Sequence, residues 1–181
     1  MLEIEIKEGN KLNQDELNII NYWRKKEFNS DTEWNETNKK SFYDDIVFLL
    51  KNGEEILAFG RLRPISVYKE EEKLDIWGIA TIVSTERGKG YGKELMRAIR
   101  KYIEKNKKTS IGFCGEKNTV FYEKCGFGIL KDGQKHFVYV DDSDKLQFEQ
   151  GDVFYLKGYD NLADLLLKDD KSVFKHYVPH W

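Results

Sequence analysis

Ser84 to Met96 reads STERGKGYGKELM. Gly88, Gly90 and Gly92 alternate with Lys89 and Tyr91, directly after the apolar run LDIWGIATIV and directly before an amphipathic stretch. A strand ending in a glycine-rich turn at a helix N-terminus presents unpaired backbone N–H groups and the positive end of the helix dipole. Together these make an anion site, with phosphate its most natural occupant. Glycine keeps side chains from holding the phosphate off the backbone, while Arg87 and Lys89 add long-range positive charge. Two familiar phosphate loops fail on spacing. A P-loop needs Ser or Thr after its Gly-Lys pair, where this chain has Gly90 or Glu94. The dinucleotide fingerprint needs Gly-x-Gly-x-x-Gly, and the glycines here give Gly-x-Gly-x-Gly.

A second stretch carries reactive side chains. Asn118 to Phe127 reads NTVFYEKCGF, with a phenol at Tyr122 and a thiol at Cys125. A phenol, with an ordinary pKa of about 10, protonates a thiolate of ordinary pKa about 8.5 only in a tuned site. The alternative for Tyr122 is aromatic packing beside Phe121. Cys125 is not expected to act as a nucleophile, because no histidine is placed to activate it and a helix C-terminus disfavours a thiolate. Cys114 and Cys125 are too few for a disulfide framework and lack metal-ligand spacing, which suits a reducing compartment. His176 and His180 are four apart, but Pro179 between them breaks the helix that could aim both at one metal. No metal site is expected.

The elements that must position these residues follow from periodicity and capping. LEIEI alternates with period two, as a strand does. Asn13 as N-cap, Glu16 at N3 and a staple from Leu12 to Leu17 start a helix running from about Gln14 to about Phe28. The segment from Asn29 to Lys40 is polar around Trp34, and a second short helix is expected to end near Asp45. Two apolar runs around Asn52-Gly53 read as an antiparallel hairpin. LDIWGIATIV is apolar at most positions and therefore a central strand. Leu95, Ala98, Ile99, Tyr102 and Ile103 recur at helical spacing up to about Lys105. TSIGFC is a further strand; Asn118 reads as the cap of a short helix that Gly126 ends as its C′ residue. FGIL and HFVYV, joined by KDGQ, read as another hairpin. The order is that of an α+β fold: a mixed, mostly antiparallel central sheet with a crossover helix in its middle and helices flanking it.

In this setting Arg87-x-x-Gly90-x-Gly92 resembles the coenzyme A pyrophosphate loop of the GCN5-related N-acetyltransferase (GNAT) family. NTVFYEKCGF resembles that family's later motif, a short helix ending in Gly-Phe. The resemblance is specific over about Asp75 to Phe127, extends at the level of element order to residue 1, and is absent after about Val140. It implies the acyl-CoA N-acyltransferase fold, with residues 1–140 as core and 141–181 as a C-terminal extension packed on the same domain. It also implies an acetyl-CoA-dependent N-acyltransferase that moves an acetyl group from its co-substrate to a primary amine of a small molecule by direct attack. By the same resemblance the amides of Arg87, Gly88, Lys89, Gly90, Tyr91, Gly92 and Lys93 hold the pyrophosphate. Ile82 and Val83 pair with the pantetheine arm and help polarise the thioester carbonyl. Asn118 and Phe121 lie near the cofactor, and Tyr122 protonates the departing sulfur. Some members place a basic Glu on the fourth strand where this chain has Trp77, which cannot serve. Asp75, two residues earlier and so on the same strand face, is the candidate base, acting through water.

Composition bounds the partners. The 181 residues fit one domain with extensions, and no internal repeat or low-complexity linker marks a boundary. Thirty Lys plus Arg against 32 Asp plus Glu leave a net charge of −2, so no global basic field attracts nucleic acid or anionic membrane. The basic runs at Arg24 to Lys26 and Lys105 to Lys108 are read as solvated helix faces. The acidic start and the short longest aliphatic run, Ile46 to Leu50, give neither a secretory signal nor a span, and a cytoplasmic protein is expected. Nine acids between Asp141 and Asp170 face only Lys145, Lys157 and Lys168, read as a solvated extension that adds the strand VFYLK and the helix NLADLLL. Phe174, Tyr177 and Trp181 suggest that the terminus packs down, over a substrate cleft or in a homodimer. A peptide or protein amine as acceptor, a non-catalytic acyl-CoA sensor and a cofactor-free interaction domain are the competing readings.

Overall fold

Asn13 begins the first helix with both halves of a capping box. Its side chain accepts from the Glu16 amide at 2.9 Å, and its own amide donates to Glu16 Oε2 at 3.0 Å. This is seen in a computed structural model of the chain that describes residues 1–141, 146–148, 151–168 and 171–178. The chain forms two compact units, Met1–Arg63 with Ala80–Ile99 and Pro64–Ile79 with Arg100–Trp181.

In the first unit β1 (Leu2–Glu8) pairs antiparallel with β2 (Ile46–Asn52), which pairs antiparallel with β3 (Glu55–Lys69) across the expected tight turn, Gly53 taking a φ of 62°. α1 (Gln14–Phe28) ends at Asn29 in the left-handed region. Ile20, Trp34, Phe42, Val47, Leu49, Phe59 and Val83 form one buried cluster, with Leu12 and Leu17 packed against it. The helix expected to end near Asp45 is instead a 3-10 segment, Glu36–Ser41, interrupted by the non-helical Asn38. The Asn35 side chain accepts from the amides of Thr37 and Asn38 at 2.9 and 3.1 Å, offering the backbone a turn in place of helical bonding. Glu16, 4% exposed, is neutralised by Lys7 and Lys51, each 2.7 Å from its Oε1.

β4 (Glu72–Ser84) and α2 (Tyr91–Asn106) each contribute to both units, as does β3. The second unit adds β5 (Ser110–Cys114), α3 (Glu116–Lys124), β6 (Gly128–Leu130), β7 (Phe137–Val140), β8 (Leu146–Phe148), β9 (Asp152–Leu156), α4 (Leu162–Lys168) and β10 (Phe174–His176). Its strand order is β6-β9-β5-β4-β3-β10-β7-β8, with β4–β5 and β10–β7 parallel. Ile65, Val67, Ile76, Ile111, Phe137, Val153, Leu162, Leu166 and Phe174 make its core.

The expected hairpin between FGIL and HFVYV does not form. β6 pairs with β9, whereas β7 pairs with β10 and β8. The KDGQ turn is captured by the start of β9: the Asp132 amide donates to Asp152 Oδ1 at 3.0 Å and the Gln134 amide to the Gly151 carbonyl at 3.1 Å. Asn118 is not the cap of α3 either; Gly115 holds that place, and Asn118 lies in the first turn. The helix does end as expected. Gly126 at φ 86° donates to the Glu123 carbonyl at 2.8 Å, and Phe127 to that of Tyr122 at 3.2 Å, the two bonds of a Schellman motif.

After residue 140, β8, β9 and β10 belong to the second unit's sheet. Phe174 is fully buried, and Tyr177 meets Tyr68 edge-on at 5.7 Å. Of the acidic extension, Asp142, Asp144, Lys145, Glu149, Asp169 and Asp170 lie outside the described residues, as do Pro179, His180 and Trp181.

Candidate active site

In the first unit the approach to the glycine loop departs from regular strand geometry. Thr81 sits in β4 with φ at 57°, which a β-branched residue adopts only when its surroundings enforce it. The parallel pairing of β4 with β5 ends before it, at Gly78↔Ile111. Beyond it Val83 is buried in the cluster with Trp34 and Phe59, and the strand is closed by Thr85, whose amide and hydroxyl both donate to the Leu57 carbonyl at 2.9 Å. Ile82 is half-buried. Its Cδ1 lies 2.5 Å from where a Cβ on Gly60 would stand, so this approach needs glycine on β3.

Gly88 and Gly90 then take φ angles of 80° and 84°, with nothing within 4 Å of where a Cβ would stand. The loop is therefore open on the side where side chains would have been. Gly90 acts as N-cap of α2, its carbonyl accepting from the Glu94 amide at 3.1 Å. Helix geometry leaves the amides of Tyr91, Gly92 and Lys93 without intrahelical acceptors. Among the described residues none of the amides from Glu86 to Lys93 donates to a carbonyl in the loops. Arg87, 89% exposed, is tethered by its ion pair with Glu27 at 3.2 Å; Lys89 and Lys93 are exposed.

In the second unit Asn118 and Tyr122 are one helical turn apart on α3, with Phe121 beside them. Asn118 and Phe121 are exposed, while Tyr122 is 9% exposed, stacked on Phe154 at 3.7 Å and 7°, and edge-on to Phe121 at 5.1 Å. Burial, followed by the neighbouring Cys114 and Cys125, pushes its phenol well above the ordinary value. Its hydroxyl has no hydrogen-bond partner among the described residues. Asp75 is exposed and engaged: Ser66 Oγ donates to it at 2.6 Å and Lys73 lies 3.0 Å away. Those two contacts, Ser66 first, hold its carboxyl below the usual range and weaken it as a base. Trp77 packs against Tyr102 at 5.6 Å. Among the described residues no group of three or more His, Cys, Asp or Glu side chains converges to hold a metal, and no helix is long and apolar enough to cross a membrane.

A family model described as Acetyltransferase (GNAT) family matches residues 14–127, well over half of the chain. The chain belongs to the GNAT family. Solved structures of similar fold include ElaA from Escherichia coli, with a TM-score of 0.58 at 18% identity over 86% of this chain and 97% of that one. An N-acetyltransferase from Staphylococcus aureus Mu50 gives 0.54 at 19% identity, covering 86% and 96%. A Bacillus subtilis acetyltransferase in complex with CoA gives 0.52 at 21% identity, covering 87% and 99%. At these identities the likeness is one of fold. No curated protein matches the sequence.

This GNAT chain also holds a polar cluster that its sequence did not announce. Arg24, expected on a solvated face, is half-buried in the first unit with its Cζ 4.7 Å from the centroid of Trp34. It donates to the Thr32 carbonyl at 2.8 Å and to Ser30 Oγ at 3.1 Å. Arg61 on β3, 5% exposed, lies 4.9 Å from the same ring. It is bound by Asp45 at 2.6 Å and by the Ser41 carbonyl at 3.0 Å, while its Nε has no hydrogen-bond partner among the described residues. Arg63, two residues on and half-buried, has neither an ion pair nor a side-chain hydrogen bond among the described residues. The one signal in the sequence is Arg-x-Arg at period two inside an apolar strand, which puts both guanidiniums on one face.

Proposed function

We propose that this GNAT chain is an acetyl-CoA-dependent N-acetyltransferase that acetylates the primary amine of a small molecule in the cytoplasm. The observation that carries the reading is the loop before α2, where left-handed glycines leave open space beside the amides of Tyr91, Gly92 and Lys93, which have no intrahelical acceptor. Such an arrangement fits a pyrophosphate, whose oxygens would take the amides of Gly88 to Lys93 at the positive end of a 16-residue helix.

Acetyl-CoA supplies the activated acyl group. Backbone groups of Ile82 and Val83, in the part of β4 without β5 pairing, would hold the pantetheine arm and donate to the thioester oxygen as negative charge develops there. Direct attack forms the C–N bond as the C–S bond breaks, and the amine proton passes to solvent or a base. Tyr122 would serve the departing sulfur with Asn118 and Phe121 beside the arm. Its raised pKa keeps the phenol protonated throughout the neutral range, so its contribution is a hydrogen bond to the thiolate, with proton transfer completed as the site opens to water. Asp75 supports a base role only through intervening water.

The first experiment is a thermal-shift titration with acetyl-CoA, coenzyme A and ATP. A ligand that binds only the folded state raises the melting temperature, and a saturable rise with the two coenzyme A compounds alone is expected. A rise with ATP alone would sink the reading. Trp77, near the position where some members carry a Glu, together with the engaged state of Asp75, favours one alternative, a non-catalytic acyl-CoA sensor. Free-thiol release in the presence of amines separates enzyme from sensor.

A further inference from the structure

Among the described residues of the first unit, three guanidiniums lie near one buried carboxylate, which pairs only with Arg61. Arg24 and Arg61 lie 4.7 and 4.9 Å from the centroid of the Trp34 ring, Arg63 lies on the Arg61 face of β3, and Asp45 is the acid that binds Arg61. The other charges nearby do not redress the balance, since Asp44 is exposed and Glu27 is engaged with Arg87. The excess is felt by the residues themselves. Burial first, then Arg61, lowers the pKa of Arg24 to about 10 and also lowers that of Arg63. Burying a guanidinium without a partner is costly, and this cluster combines an orphaned, buried Arg61 Nε with an Arg63 fork that no described residue occupies. An arginine fork is shaped for the two oxygens of a carboxylate.

We propose that Arg63, with Arg61 Nε and supported by Arg24 through Trp34, binds a carboxylate carried by the acceptor, so that the substrates are amines bearing an acid group. The inference rests on the acetyltransferase reading above and names its substrate class. The cluster belongs to the same unit as the glycine loop, and Trp34 shares its buried cluster with Val83 at the end of β4. An acidic extension attracting a cationic acceptor is the opposite expectation, but two of its described acids already have lysine partners. Asp152 is held by Thr119 and Lys131, and Asp164 by Lys157.

The test compares matched amines in thiol release with acetyl-CoA: β-alanine against propylamine, and L-phenylalanine against phenethylamine. The acid-bearing member of each pair is expected to react at least about tenfold faster at low substrate concentration, and Arg63→Gln closes most of that gap by raising KM. Equal rates within the pairs, or a gap that survives in Arg63→Gln, overturn the proposal. A second arm needs neither turnover nor acetyl-CoA. N-acetyl-β-alanine, the product of the first pair, raises the melting temperature of the native protein but not of Arg63→Gln, and N-propylacetamide raises neither. A rise reproduced by sodium chloride at equal ionic strength marks non-specific anion binding and overturns the proposal. Failure of acetyl-CoA to bind removes the acetyltransferase reading alone, because the product arm still decides the carboxylate site. Arg63→Gln deletes no partner of another described residue and relieves like-charge repulsion, so it melts at or above the native temperature; Arg63→Lys, which keeps the charge and loses the fork, is the companion variant.

Discussion

Tyr122 shows how little of a residue's role its type decides. Stacking on Phe154 gives it a packing function, while a hydroxyl with no hydrogen-bond partner among the described residues leaves the same ring available for the chemical role proposed above. Tyr122→Phe separates the two, since it keeps the ring and deletes the oxygen. We expect kcat to fall by about 10²-fold, with the melting-temperature shift caused by acetyl-CoA unchanged; an unaltered kcat would leave only packing. Asp45 is the converse case, a residue whose role is set entirely by neighbours. Burial pushes its carboxyl up while Arg61 and then Arg63 pull it down, and the 2.6 Å ion pair holds Arg61 in place. Asp45→Asn leaves Arg61 buried without a counter-charge and should cost about 3–5 kcal/mol of stability in urea titration. A loss below about 1 kcal/mol would mean that Arg61 is neutralised by something other than Asp45.

At the scale of elements, the proposed function makes the strand–loop–helix from β4 to α2 a unit that would act through its backbone. Gly90 has a positive φ and open space around its missing side chain, so a substitution there strains the main chain without a clash. A left-handed conformation costs an L-residue about 1–2 kcal/mol, and a β-branched one resists it further. Gly90→Val is therefore expected to raise the Kd for acetyl-CoA at least about tenfold by calorimetry, with little change in the buried core; a normal Kd would mean that the loop does not hold the cofactor. Elements such as α1 were legible because their signals are contiguous: Asn13, Glu16 and the apolar spacing all fall within a few turns. Asn118 has the residue type of a cap, but Gly115, three positions earlier and extended, also starts a helix well and takes that place.

At the scale of the whole molecule the titrating groups predict an acid-labile protein. Glu5 is held below its ordinary pKa chiefly by Lys51; against burial, Glu16 is held low by Lys51, Lys7 and the Asn13 amide, and Asp152 by the Thr119 hydroxyl, Lys131 and the Asp132 amide. Carboxylates depressed in the folded state contribute stability that is present above their unfolded pKa, near 4, and lost as pH falls through the folded values. His176 acts over a higher window. Burial lowers its pKa from 6.5 to about 4, with the Val178 carbonyl opposing. Between those values the unfolded chain binds the extra proton, so stability falls as pH drops from 6.5 toward 4, by up to about 3 kcal/mol, and is flat above. Unfolding free energies measured from pH 4 to 7 should show this slope, and His176→Gln should flatten its upper part; an unchanged slope would assign it to other groups.

The sequence by itself determined the α+β class, the family resemblance, α1, the order of strands from β2 to β5 and the glycine-rich turn before α2. These rest on periodicity, capping and glycine placement, whose physical causes act between residues near one another along the chain. Only the tertiary structure decided that β6 leaves its expected partner for β9, and that Arg24 abandons the solvated face for the ring of Trp34. It also decided that Arg61 finds Asp45 sixteen positions away. Each of those outcomes is a competition for one partner among groups distant in sequence, settled by burial and charge neutralisation in the folded chain, and no local pattern ranks the competitors.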